Sequence, residues 1–177
     1  MSVRFEISNT IKSKIEEHIH NNKKEIMLNS RLVGTRTVDN WKTYLTKDKI
    51  NLQDVPVADN KNMINFKNIG VAQKMTSLVQ SIFPDNTVFS TGHFHYPPTG
   101  FMSWHTNSNV PCKRLYLTWA DEGNKSFFRY LEGEEVVTDY DDKGLTSRLF
   151  GVTGKEPFFW HCVGSETNRL SFGYAIQ

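Results

Sequence analysis

Hydrophobic and polar positions divide the chain into two halves with different periods. In the first half Ile11, Ile15 and Ile19 recur four apart, which is one face of a helix. Ser8-Asn9-Thr10 offers caps ahead of them, and Asn21-Asn22 is expected to end the helix. His18 and His20 read as surface residues of that helix rather than ligands. Residues 25–67 hold short apolar pieces without a sustained period, which predicts short strands, turns and long loops. From about Asn68 to Phe83 the stripe Val71, Met75, Leu78, Val79 and Ile82 predicts a second helix, stopped by Pro84-Asp85-Asn86. Such a stripe suits packing against a sheet.

After residue 86 the period shortens. Apolar and β-branched runs alternate with turn signals such as Pro97-Pro98-Thr99-Gly100 and Asp141-Asp142-Lys143-Gly144. The predicted strands are Thr87–Tyr96, Phe101–Ser108, Lys113–Ala120, Ser126–Leu131, Glu135–Tyr140, Leu145–Val152, Pro157–Val163 and Arg169–Ile176. Eight short strands with no intervening helix point to a sandwich or small barrel. The expected fold is mainly β with flanking helices: a double-stranded β-helix, or jelly roll, packed on one or two N-terminal helices. A chain of 177 residues suits one domain. Within it, residues 1–86 form a helical and irregular support and residues 87–177 the jelly-roll core.

Composition narrows this only a little. Hydrophobic residues at 38% and aromatics at 12% fit a packed core rather than a disordered chain. No run of 18 apolar residues exists, and Met1-Ser2-Val3-Arg4-Phe5-Glu6 lacks the apolar core of a signal peptide. The expectation is a cytoplasmic protein with no membrane partner. A net charge of +2 gives no strong nucleic-acid signal. Cys112 and Cys162 sit in no CxxC spacing and are expected as reduced thiols.

The chemistry concentrates in His93 to Asn109 (HFHYPPTGFMSWHTNSN), in His161, and in Arg169-Leu170-Ser171. Alternate residues of a strand share a face, so His105 and Asn107 are expected to point together, as are Arg169 and Ser171. In a jelly roll, strands distant in sequence become neighbours, which lets His105 and His161 meet inside. Two imidazoles and one oxygen leave open positions on a metal, the arrangement of mononuclear non-haem Fe(II) oxygenases. Arg169 offers a planar fork for a carboxylate, and Ser171 adds a hydroxyl. Trp104 and Trp160 each precede a ligand histidine and are expected to face away from it.

Tyr96-Pro97-Pro98-Thr99-Gly100-Phe101-Met102-Ser103-Trp104-His105-Thr106-Asn107 resembles the Tyr-x-Pro-x-Gly-x4-His-x-Asp element of the Fe(II)- and 2-oxoglutarate-dependent oxygenases, in their prolyl-4-hydroxylase-like branch. His161 followed by Arg169-Leu170-Ser171 resembles that family's distal histidine and the basic residue that holds 2-oxoglutarate. The resemblance covers residues 87–177. It implies Fe(II) at His105, Asn107 and His161, with 2-oxoglutarate and O2 as cosubstrates. The far carboxylate of 2-oxoglutarate would sit on Arg169 and Ser171, with Tyr116 and Thr118 as further hydrogen-bonding groups. Tyr96 and His95 are the substrate-side candidates. The implied reaction is hydroxylation of a C–H bond, with decarboxylation of 2-oxoglutarate to succinate.

The chain departs from the family at Asn107, where the pattern has Asp or Glu. A neutral amide oxygen is a weaker ligand for a hard cation. Asn107 is then a weak ligand, or leaves a position for another ligand as in halogenating members, or marks a chain that binds metal poorly. Two other functions stay open: a cupin-type jelly roll binding metal or a small ligand through His93, His95 and His105, and a non-catalytic binding module. No motif names the substrate, which is a protein side chain, a nucleobase or a small molecule.

Overall fold

A computed structural model describes residues 3–28, 31–33, 39–50, 53–66 and 69–177. Among these residues two helices, α1 (Asn9–Leu28) and α2 (Ile69–Gln80), accompany ten strands. Two strands come early, β1 (Arg31–Val33) and β2 (Lys61–Asn65), flanking two short 3-10 helices at Trp41–Leu45 and Lys47–Lys49. The remaining eight are β3 (Val88–Tyr96), β4 (Gly100–His105), β5 (Cys112–Ala120), β6 (Ser126–Glu132), β7 (Glu135–Tyr140), β8 (Gly144–Val152), β9 (His161–Ser165) and β10 (Arg169–Ile176).

All strand pairs are antiparallel, and their order is β7-β6-β9-β4-β2-β3-β10-β5-β8. From β3 onward the chain crosses between two facing layers, β3-β10-β5-β8 and β4-β9-β6-β7, at every step except the β6–β7 hairpin. That winding is the jelly roll. β2 pairs with both β3 and β4 and joins the layers along one side.

Three apolar clusters follow from the alternation. On the outer face of the first layer, Leu115, Leu117, Leu170 and Phe172 pack against Ile15, Ile19 and Ile26 of α1 and Val71, Met75 and Val79 of α2. Between the layers lie Met63, Tyr96, Phe128, Phe150 and Val163. Outside the second layer, Trp104, Trp160 and Cys162 meet Trp41 and Leu45 of the first 3-10 helix. Both tryptophans thus face away from the histidines that follow them. A Cβ on Gly164 would lie 2.5 Å from Phe127 and 2.6 Å from Trp41, so this glycine lets the 3-10 helix seat directly on β9.

Several expected boundaries move. Asn21-Asn22 does not end α1: the Asn22 side chain donates back to the His18 carbonyl at 2.7 Å, and the stripe continues to buried Ile26. His18 is half-buried, its Nε2 3.0 Å from the Val71 carbonyl oxygen at the head of α2, while His20 is exposed. β4 stops at His105 rather than Ser108, and β9 begins at His161 rather than Pro157. Both thiols are free, Cys162 in the core and Cys112 half-buried. No described helix is long and apolar enough to cross a membrane.

Candidate metal and anion site

His105 and His161 are register partners across β4 and β9, with ring centroids 4.1 Å apart. Each Nδ1 lies on a backbone carbonyl two residues earlier: His105 on Ser103 at 2.8 Å and His161 on Phe159 at 3.0 Å. Nδ1–H donation to those oxygens leaves each Nε2 unprotonated, with its lone pair able to accept a hydrogen bond or bind a metal. Phe128, Phe150, Phe159 and Tyr116 ring His161. Burial pushes the His105 imidazole down to about 4 and the His161 imidazole well below its ordinary value, the latter helped by the charge of His105. Both are therefore neutral near pH 7, the form a metal binds.

Asn107 reaches the same point by another route than alternation. It lies past the end of β4, in the left-handed region at φ 54°, which Asn tolerates better than most residues. Residues 54–56 hold that turn. Thr106 Oγ1 donates to Asp54 at 2.5 Å, Ser108 Oγ donates to the other Asp54 oxygen, and the Thr106 and Asn107 amides donate to Val55 and Pro56 carbonyls. Asn107 Nδ2 then donates to the Tyr116 hydroxyl at 2.8 Å and to His161 Nε2 at 3.0 Å.

A cavity of about 510 Å³ opens beside these groups. His105, Asn107, Tyr96, Tyr116 and Ser171 line it, with Met63, Phe94, Met102 and Val163 as apolar wall. Lys61, Val57 and Val110 are exposed residues along its lining.

Arg169 sits beneath the Tyr96 ring, 5.0 Å from its centroid, and is fully buried. Its fork is largely engaged. Nε donates to Asp141 at 2.9 Å and Nη2 to Thr118 at 3.1 Å, while Nη1 has no partner. Asp141 also accepts from Arg148 at 2.6 Å and from Ser126. Burial would raise the Asp141 carboxyl, but the guanidiniums of Arg169 and Arg148 hold it below the usual carboxylate range.

His93 and His95 lie on the helix-facing side of β3. His93 packs among Phe66, Phe172 and Tyr174, and His95 Nε2 contacts Asn168 Oδ1 at 3.1 Å. The cavity is lined from the opposite face of β3 by Phe94 and Tyr96. The structure therefore does not bring His93, His95 and His105 together, and His95 does not border the cavity.

Sequence reasoning passed over three residues of this region: Asp54, Asp141 and Arg114. Arg114 had a readable signal, because it shares the inward face of β5 with Tyr116 and Thr118.

No family model and no curated protein matches the chain. Among solved structures, it is similar to a prolyl-4-hydroxylase from Pseudomonas putida at 12% identity and TM-score 0.49, covering 99% of this chain and 90% of that one. It is similar to a Trichoplax adhaerens prolyl hydroxylase, solved with a hypoxia inducible factor peptide fragment, at 9% identity and TM-score 0.46, covering 97% and 93%. It is also similar to the Drosophila melanogaster CENP-C cupin domain, at 10% identity and TM-score 0.39, covering 92% and 95%. Hydroxylases and a cupin domain alike stand at this distance.

Proposed function

We propose that the chain is an Fe(II)- and 2-oxoglutarate-dependent oxygenase that hydroxylates a C–H bond. One observation carries the reading: two neutral, carbonyl-anchored imidazoles face each other across β4 and β9, and His105 of the pair lines a cavity. Among the described residues no cluster of three His, Cys, Asp or Glu surrounds the point. The residues fit a divalent ion as two imidazoles plus an amide. Amide nitrogen and oxygen are exchangeable by a flip, and Tyr116 can donate to Oδ1 as readily as accept from Nδ2. When bound, the iron with 2-oxoglutarate would supply the oxidising chemistry and the negative charge that Asn107 does not.

The chain's own groups have assignable work. His105 and His161, both neutral near pH 7, would hold the metal. The aromatic wall around them keeps water out, which strengthens polar contacts inside. The buried, unpaired Nη1 of Arg169, behind the Ser171 hydroxyl that lines the cavity, is the assigned seat for the far carboxylate of 2-oxoglutarate, and Thr118 and Asp141 fix the guanidinium that carries it. Tyr96 above Arg169 lines the side a substrate would approach.

The test is an anaerobic titration with Fe(II) and 2-oxoglutarate, read as a visible absorption band that needs both. His105→Ala and His161→Ala should each abolish the band while leaving the melting transition cooperative. Full iron affinity in both variants would refute the site. A second reading has its own support. Asn107 already satisfies the His161 lone pair, so the network is complete as a hydrogen-bonded chain without metal. On that reading the protein is a non-catalytic binding module, and wild type shows no band.

A further inference from the structure

Among the described residues, the interior between the layers holds three arginines, and their charges are not equally met. Arg148 pairs with Asp139 and Asp141, and Arg169 with Asp141. Arg114 has no such partner among the described residues. It is 6% exposed, its Nε is buried without a hydrogen bond, and it lines the cavity. Its register partners are apolar on both sides: Ala175 on β10 and Phe150 on β8. Burying a charge without a partner is costly, and folds meet that cost with a counter-ion or ligand.

We propose that Arg114 receives the carboxylate of a small organic acid bound in this cavity. One unbalanced positive charge matches a monoanionic group better than a phosphate dianion. The planar fork suits a carboxylate bidentately. Donors for the rest of the ligand stand nearby in the lining: the Tyr116 and Ser171 hydroxyls and the Asn107 amide. The wall of Met63, Phe94, Met102 and Val163 accepts a short carbon chain. Gly173, opposite Tyr116 in the register, keeps the floor open, since a Cβ there would lie 3.3 Å from the Tyr116 ring and 2.9 Å from Thr91 Oγ1. The assignment deepens the reading above but needs only the cavity, not the iron.

The probe is succinate, titrated into chelator-treated, metal-free protein and read by calorimetry and thermal shift. Wild type binds it saturably. Arg114→Gln weakens it about tenfold or more, the loss of a charge-assisted pair, and Arg114→Lys falls between. Without ligand, Arg114→Gln melts no lower than wild type, because no internal partner is lost. Competition identifies the source of the acid. If 2-oxoglutarate displaces succinate and Arg114→Gln weakens both, Arg114 holds the cosubstrate's carboxylate in place of the Arg169 seat assigned above. If both bind together, Arg114 reads the substrate, which is then itself a carboxylic acid.

Unchanged succinate affinity in Arg114→Gln overturns the proposal. So does a wild type that binds neither acid at about 50 mM, weaker than any specific site, or one that prefers inorganic phosphate through Arg114. Succinate held by Arg114 in a protein that takes up no Fe(II) would sink the oxygenase and keep this inference. Oxygenase turnover with unaltered acid affinity in Arg114→Gln would do the reverse.

Discussion

At the residue scale, Asn107 is where the site departs from a carboxylate design. Its left-handed backbone suits Asp as well as Asn, so Asn107→Asp changes charge without changing the turn. A carboxylate is the better partner for a hard divalent ion, and Fe(II) affinity should rise about tenfold or more by equilibrium dialysis. In metal-free protein the same variant should raise the His161 pKa, because a negative charge at 3.0 Å favours imidazolium. Histidine ring NMR checks it, and an unmoved His161 would mean that residue 107 turns away. The meeting of the two histidines and the inward turn of Arg169 were legible from the expected roll and from alternation. The handedness of residue 107 was not. It depends on Asp54 gripping Thr106 and Ser108 from 52 and 54 residues away, and nothing local to His105 announces that grip.

At the element scale, the buried pairings set the acid response. Asp141→Asn leaves Arg148 and Arg169 without their shared carboxylate. Removing one partner of such a buried set costs about 3–5 kcal/mol, measurable by urea unfolding, and a loss under 1 kcal/mol would mean the pairs are dispensable. Asp141 has a folded pKa below its unfolded one, so its contribution is present above the unfolded value near 3.8 and fades as pH falls through the folded value. His93 acts at milder acidity. Burial among aromatic rings lowers it from 6.5 to about 4, so the unfolded chain binds the extra proton and stability falls as pH drops from about 6.5 towards 4. His93→Phe should shift the acid-unfolding midpoint, followed by circular dichroism, to lower pH. An unshifted midpoint would show that His93 is not among the groups that respond. The alternation of Arg169–Ile176 already turned Arg169 inward. Its partner could not be seen, because Asp141 stands in a stretch that reads as a turn, 28 residues upstream.

At the scale of the whole molecule, four layers stack from helices to the 3-10 segment, and each interface depends on one face of a strand. Gly164→Ala would force a methyl against Phe127, Trp41 and Leu45, lifting the 3-10 helix off β9. Limited proteolysis should then cut between residues 39 and 50 faster than in wild type, with the jelly-roll fragment persisting. Equal cleavage rates would show that the helix seats independently of Gly164. The eight strands from β3 to β10 and the helices on one side were legible from period alone. The joining role of β2 was not, since five residues with a mixed pattern give no sign that they pair on both edges.

The strand order has two ends, β7 and β8, and these meet differently from the side that β2 joins. Residues 3–5 run along β8, with Phe5 and Leu149 amides donating to Ser147 and Val3 carbonyls, and Arg4 crosses to Asp139 and Tyr140 of β7. Asp139 also accepts from Arg148 of β8. One side of the roll is thus sewn by main-chain hydrogen bonds and the other by side-chain charge. In deuterated buffer the molecule should open like a book with its spine at β2. Amides of β7 and those where residues 3–5 meet β8 exchange first, and acid widens the difference as Asp141 loses its charge. Amides shared by β2, β3 and β4 hold their protons until the whole chain unfolds.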